Sequence, residues 1–242
     1  MASSFAVVGT NPLAQEIFEL CREAGCAVER AEPGAFSVPP AMVVETSAAE
    51  EPQKRAILSA LARAVAPECV IVTSCLRFSP TELASWTTRP ERVVGFATFY
   101  PIRERKLIEL SGGLRTEERA LQAAENFFST LKKATVRVRE GAGLVFPRVL
   151  SLIVNEAARA LSEGIAAAEE IDVAMRLGVN YPRGPLEWAD QAGLDEVLAV
   201  LEGLQRETGD DRYRPAALLK RMVQAGYLGE RTKRGLRVKL EQ

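Results

Sequence analysis

FAVVGTNPLAQEIFELCREAG, residues 5–25, contains a strand, a turn and a helix in succession. Residues 5–9 form a short apolar run with two β-branched valines that ends in glycine, the pattern of a buried strand. From residue 12 to 24 the apolar positions Leu13, Ile17, Phe18 and Leu20 recur at helical spacing, and Gly25 stands where a helix stops. Residues 26–31 then read as a second strand, which makes this a βαβ-type opening.

The same alternation continues beyond it. A Pro/Gly-rich connection, PGAFSVPP, occupies residues 33–40. A buried strand follows at 41–45, an amphipathic helix at 51–65 and a strand at 69–73. Residues 93–99 and 106–110 read as further strands, and 116–133 as a long helix. Strands that alternate with helices predict a parallel sheet covered on both faces. After Gly143 the pattern is helical to the end, broken by loops at 178–185 and 209–215, so a domain boundary is expected at 140–143. Residues 145–161, VFPRVLSLIVNEAARAL, are apolar over most of the helix circumference. Such a helix is either buried within its own domain or shared with a second copy in a homodimer.

Composition narrows the functional classes. The 242 residues carry 31 Lys and Arg against 32 Asp and Glu, a formal charge of −1. No global field favours nucleic acid or a membrane surface. The N-terminal MASSFAVVG has no basic leader and no apolar run reaches bilayer length, so a cytoplasmic protein is expected. Four cysteines, Cys21, Cys26, Cys69 and Cys75, lack metal-ligand spacing and read as small core residues, with no metal site. The sequence contains no histidine at all. That excludes every histidine triad and histidine proton shuttle, so any acid–base chemistry must come from other groups.

The turn Gly9-Thr10-Asn11-Pro12-Leu13-Ala14 stands where a dinucleotide-binding protein carries G-x-G-x-x-G. Gly9 keeps the first glycine and Ala14 is an accepted third position, but Asn11 adds a side chain where a pyrophosphate meets backbone, and Pro12 removes an N–H. Glu32, at the end of the second strand, is placed to accept ribose hydroxyls. The segment is either a weakened nucleotide site or a plain strand-to-helix turn.

MVVETSAAEEPQKRAIL (42–58), RPERVVGFATFYPIRERKLIEL (89–110), NYPRGPLEWADQAGLDEV (180–197) and YLGERTKRGLRV (227–238) are similar to successive signatures of the 3-hydroxyacyl-CoA dehydrogenase family. The resemblance covers nearly the whole chain. It implies an α/β, Rossmann-like, doubly wound and mostly parallel sheet in residues 1–142, followed by an all-α dimerisation domain in 143–242. Between Glu32 and Ala41 the chain lacks room for the helical arm with which that family helps to hold coenzyme A.

Residue by residue, the resemblance divides. The family's G-x-H-F-F-N-P segment matches Gly95 to Pro101, with Ala97 in place of the catalytic histidine and Tyr100 in place of the asparagine. Glu109 matches the glutamate that orients the histidine. The substrate-contacting serine falls at Leu76, with Ser74 nearby, and a second asparagine falls at Pro147. Lys54 matches a cofactor-contacting lysine, and otherwise reads as a solvated helix residue. The catalytic candidates are therefore Glu109, Tyr100 and Ser74, Tyr100 needing a cation such as Arg103 to act as a base. The cofactor candidates are Gly9, Asn11, Ala14, Glu32, Thr46 and Lys54, for NAD at a weakened site. Two readings remain: a binding or assembly protein for a nucleotide, an acyl-CoA-like ligand or another protein, and an NAD-dependent oxidoreductase with altered acid–base residues.

Overall fold

A computed structural model describes residues 4–237. The chain divides between Phe146 and Pro147 into two compact units. In the first unit, β1 (Ser4–Val8) leads into α1 (Pro12–Glu23), and β2 (Ala27–Arg30) follows. β3 (Met42–Glu45), α2 (Glu51–Ala64), β4 (Val70–Ser74), α3 (Pro80–Ser85), β5 (Val93–Ala97), β6 (Leu107–Gly112), α4 (Glu118–Thr130) and β7 (Ala134–Arg137) complete it. The seven strands form one sheet in the order β2-β1-β3-β4-β5-β6-β7. β6 runs antiparallel to β5 and every other pairing is parallel.

The expected sheet is present, and its burial follows from its topology. Every residue of β3, β4 and β5 is buried, whereas the edge strands β2 and β7 are largely exposed. Central parallel strands are covered on both faces by helices, so their sequences read as unbroken apolar runs. α1 shows how a helix supplies that cover. Leu13, Ile17 and Cys21 recur at i, i+4 and i+8 and are wholly inaccessible, packed in one cluster with Val7 and Val44. Each such side chain contributes about 1.5–3 kcal/mol by leaving water.

Several boundaries shift from the expected ones for local reasons. The fifth strand stops at Ala97, not at 99, and the sixth starts at Leu107 and runs to Gly112. α3 was not anticipated, although Ser79 caps it by accepting from Glu82 N and Pro80 occupies its first turn. α4 ends at Thr130, short of the expected 133, because Lys132 turns to φ 58° and the chain enters β7. β7 is a four-residue edge strand, ATVR, largely exposed and without an apolar run to mark it.

The second unit is helical, as expected. α5 (Phe146–Ser162), α6 (Ala168–Val179), α7 (Pro185–Ala192), α8 (Leu194–Thr208) and α9 (Ala217–Gln224) account for its regular structure among the described residues. α8 is the most enclosed, with Leu194, Val197, Val200, Leu201 and Leu204 all wholly buried. α5 buries one face through Leu150, Val154 and Ala158 and leaves Val149 half exposed. Among the described residues, the stretch from 227 to 237 forms no regular strand. That stretch holds a 3-10 turn at Glu230–Thr232 and a single bridge between Gly229 and Arg234, while Val238 lies outside the described residues.

Buried carboxylates fasten this unit. Asp172 of α6 accepts from Leu186 N at 2.8 Å and Glu187 N at 3.0 Å, which caps α7 from outside. Asp190 of α7 accepts from Leu236 N at 2.8 Å and Arg237 N at 3.1 Å, and so fixes the closing turn. Burial pushes both carboxyls above their usual range, against the pull of those N–H groups. Asp190→Ala removes two acceptors from largely enclosed donors and is expected to lower the unfolding free energy by about 2–4 kcal/mol, measured by urea denaturation.

Candidate functional site

The strand order places a crevice at one point of the first unit. From β1 the chain moves through α1 to β2 on one side, then returns past β1 to lay down β3 on the other. The carboxyl ends of β1 and β3 therefore flank a topological switch point, where open α/β sheets take ligands. A cleft of about 530 Å³ opens there, and Gly9, Thr10, Arg30, Glu32, Gln53 and Ile57 are among its walls.

The turn after β1 is closed on itself. Gly9 has φ 143°, and a Cβ there would collide with Thr46 Oγ1. The Thr46 hydroxyl donates to Asn11 Oδ1 at 2.7 Å, and Asn11 Nδ2 donates back to Thr46 O at 3.1 Å. Asn11 Oδ1 also accepts from Ala14 N at 3.1 Å, which makes Asn11 the cap of its own helix. Ala14 is wholly buried where α1 meets the strand. Arg30 lies across this turn, donating to Gly9 O at 2.8 Å and to Gln15 Oε1 at 2.6 Å. Glu32 stands exposed at the end of β2, at the mouth of the cleft.

Lys54 is buried, not solvated. It is 1% exposed and pairs with Glu45, itself inaccessible. Its ammonium also donates to Ser47 O at 2.5 Å, while Thr73 Oγ1 donates to Glu45 Oε2 at 2.6 Å and Ser47 N to Glu45 Oε1 at 2.8 Å. The pair is an internal tie between β3, β4, α2 and the loop at 45–47. Removing one partner of such a buried pair costs about 3–5 kcal/mol.

The second cluster lies at the β5–β6 pairing. Ala97 is the direct cross-strand partner of Glu109. The space beside them is a cavity of about 250 Å³ with Thr98, Arg105, Lys106 and Phe146 among its walls. Glu109 is buried, and its two oxygens accept from Val145 N at 2.7 Å and Phe146 N at 2.8 Å. Burial raises the carboxyl above the usual range, and the two N–H groups offset part of that rise. The carboxylate thus serves the start of α5.

A polar cage holds the backbone of residues 102–105. Lys133 Nζ donates to Ile102 O at 2.8 Å, Arg103 O at 3.2 Å and Arg105 O at 2.7 Å, while Ile102 N donates to Glu16 Oε2 at 2.6 Å. Burial lowers the Lys133 pKa and raises that of Glu16. The Arg105 guanidinium sits 5.1 Å from the Phe146 ring centre.

Tyr100 is half buried and Ser74 is buried at the end of β4, and among the described residues neither lines this cavity. Leu76 is wholly inaccessible. Arg103, the cation invoked for Tyr100, instead meets Glu23 at 2.6 Å, Glu19 at 3.5 Å and Glu16 at 3.7 Å on α1. Three carboxylates hold it. Sequence reading also missed Glu45, Arg30 and Lys133. The signal for Glu45 was available: a carboxylate closing the apolar run MVVE needs a buried partner, and Lys54 lies nine residues on.

Among the described residues no three histidine, cysteine, aspartate or glutamate side chains gather to hold a metal ion, and no helix is long and apolar enough to cross a membrane. Cys21 and Cys69 are buried, which pushes each thiol up to about 12, and Cys75 is buried too. Cys26 is only partly covered, which departs from the expected set of four core thiols.

Residues 35–141 match the NAD-binding domain of the 3-hydroxyacyl-CoA dehydrogenases and residues 143–238 match their C-terminal domain. A 3-hydroxybutyryl-CoA dehydrogenase of Bradyrhizobium diazoefficiens is 37% identical over 194 residues, 80% of this chain and 66% of that protein. A probable 3-hydroxybutyryl-CoA dehydrogenase of Bacillus subtilis is 37% identical over 194 residues, 80% of this chain and 68% of that protein. The chain spans about two thirds of the length of both relatives. The crystal structure of (S)-3-hydroxybutyryl-CoA dehydrogenase from Ralstonia eutropha superposes with a TM-score of 0.81 at 30% identity, covering 98% of this chain and 99% of that one.

Glu109 provides a pH test of this geometry. A carboxyl with a folded-state pKa above its unfolded value of about 4.3 binds protons more tightly when folded. Its contribution is then most favourable at or below that unfolded value and declines as pH rises through the raised folded one. Glu109→Gln cannot titrate, so the stability difference between wild type and this variant should shift against the wild type from pH 4.5 to pH 8. Urea denaturation at about those two pH values measures it, and a constant difference would contradict the assignment.

Proposed function

The chain belongs to the 3-hydroxyacyl-CoA dehydrogenase family, and we propose that it acts there as a nucleotide-binding scaffold without histidine-dependent dehydrogenation. One observation carries this reading: Ala97 faces Glu109 across the β5–β6 pair, and both Glu109 oxygens are taken up by the N–H groups of Val145 and Phe146. Hydride transfer between a nicotinamide and a carbonyl carbon requires a group that moves the hydroxyl proton. Here the base position holds a methyl group and its orienting carboxylate is engaged in capping a helix.

The fit of the family's cofactor is divided. The cleft at the switch point offers Glu32 for ribose hydroxyls and Gln53 and Ile57 for a base. The turn beside it is filled by its own side chains, so no reaction step is assigned through the dinucleotide. When bound in an ordinary member, such a group supplies hydride transfer.

A second reading is favoured by the cavity itself. Glu109 lies beside about 250 Å³ of space and its pKa is raised, which suits a carboxylate that takes a proton from a bound hydroxyl directly. Steady-state oxidation of NADH with acetoacetyl-CoA separates the two. The scaffold reading expects no turnover above background in the wild type. It also expects Ala97→His to stay far below about 10 s⁻¹, because Pro147 and Leu76 still replace polar contacts and a base without geometry gains little. Turnover that is lost in Glu109→Gln would establish the carboxylate-base reading.

The scaffold is proposed to be a homodimer through its helical unit. Val173 and Leu177, one turn apart on α6, stand 40% and 81% exposed, an apolar pair that a second copy of the helical unit would cover. Sedimentation at tens of micromolar should give a dimer, and Leu177→Asp should give a folded monomer. A monomeric wild type overturns the proposal.

A further inference from the structure

The cleft at the switch point has an open half and a closed half. Toward β2 it is open, with Arg30 and Glu32 on one wall and Gln53 and Ile57 of α2 on another. Toward α1 it is shut. A diphosphate seated at a helix start needs free backbone N–H groups and a close approach to glycine backbone. Ala14 N is already bonded to Asn11 Oδ1, Pro12 has no N–H, and the space that Gly9 leaves is filled by Thr46 Oγ1. Asn11 and Thr46 clasp each other by two hydrogen bonds of 2.7 and 3.1 Å, so the closure is held from both sides.

We infer that this cleft takes a purine nucleoside carrying no more than one phosphate, in place of a dinucleotide. The inference rests on the nucleotide-binding reading above and names its ligand. Glu32 is an exposed carboxylate with acceptor capacity for two ribose hydroxyls. Arg30 is fixed by Gly9 O and Gln15 Oε1, so its guanidinium presents a settled plane on which a purine face stacks. Ile57 supplies an apolar wall, and the Gln53 amide brings a donor and an acceptor for a base edge.

A separate observation agrees. The match to the family's NAD-binding domain begins at residue 35, so Gly9, Asn11, Arg30 and Glu32 all lie outside it. Thr46, Gln53 and Ile57, on the other side of the cleft, lie within it. The sheet from β3 to β7 falls within the matched residues.

Isothermal titration of the full chain with adenosine, AMP and NAD⁺ tests the assignment. Adenosine and AMP should each bind at least as tightly as NAD⁺. Asn11→Gly should tighten NAD⁺ by about tenfold or more and leave adenosine unchanged, because it opens the turn without touching the nucleoside walls. Thr46→Val, which removes only the hydroxyl of the clasp, should move NAD⁺ in the same direction, with circular dichroism checking the fold of each variant. Glu32→Ala should weaken adenosine by about tenfold. Wild-type NAD⁺ binding more than about tenfold tighter than AMP overturns the inference, as does the absence of adenosine binding at millimolar concentration. Turnover of acetoacetyl-CoA sinks the scaffold reading and is read in a different assay. Tight NAD⁺ binding without turnover sinks the nucleoside assignment alone.

Discussion

Glu45 closes the central strand β3 with a carboxylate that water does not reach, and the neighbouring structure is arranged to satisfy it. Lys54 supplies the opposite charge from α2, Thr73 a hydroxyl from β4 and Ser47 a backbone N–H from the following loop. A carboxylate moved into a protein interior without such partners would be prohibitive. The pairing therefore dictates where α2 lies and which way the chain leaves β3. Thr46, held in that loop, then meets Asn11 across the end of β1. One buried charge in this way sets the geometry of the switch-point cleft several residues away.

The same logic explains the second cluster. Glu109 is buried, and a buried carboxylate without an imidazole partner still needs donors. It finds them in Val145 N and Phe146 N, at a helix start whose first N–H groups have no partners within the helix. The two needs cancel. With Ala97 opposite it, Glu109 is therefore no stranded charge, and a cavity lies beside the pair. A site can lose its reacting group and keep its scaffold when the remaining polar groups have other work within the fold.

What could be read in the sequence was what periodicity and spacing carry. The alternation of apolar runs with helical stripes, and Gly9 at the end of FAVV, are local patterns, and the sheet and the β1–α1 turn followed from them. α3 escaped because six residues are too few for a helical period to show, and β7 because ATVR is largely exposed and carries no apolar run. Lys54 was misread for a different reason. On a helical wheel it is a charged residue beside Gln53 and Arg55, and only the position of Glu45 on another strand makes it an interior group. Arg103 failed likewise, since a cation three residues from Tyr100 in sequence is drawn off by carboxylates some eighty residues earlier on α1. Long-range pairing of charges is set by tertiary structure, and local spacing carries little of it.

The two centres lie at different strands of the sheet, the turn at the end of β1 and the pair on β5 and β6. The turn at Gly9 governs how a cofactor's phosphates are held, and the pair Ala97 and Glu109 governs proton transfer. Loss of a general base typically removes about 10²–10⁴-fold of rate while leaving binding intact. A closed phosphate turn works on binding and leaves any acid–base step unaddressed. Either change alone is compatible with a slow or unusual enzyme. Under the proposed scaffold reading the two act independently, one on binding and one on proton transfer, so reversing one would not recover what the other controls. The parts that need no catalysis to justify them are intact: the buried tie at Glu45, the cage around Lys133 and the carboxylate fasteners Asp172 and Asp190. At both centres the polar groups are engaged within the fold, and that engagement is what supports the scaffold reading proposed above.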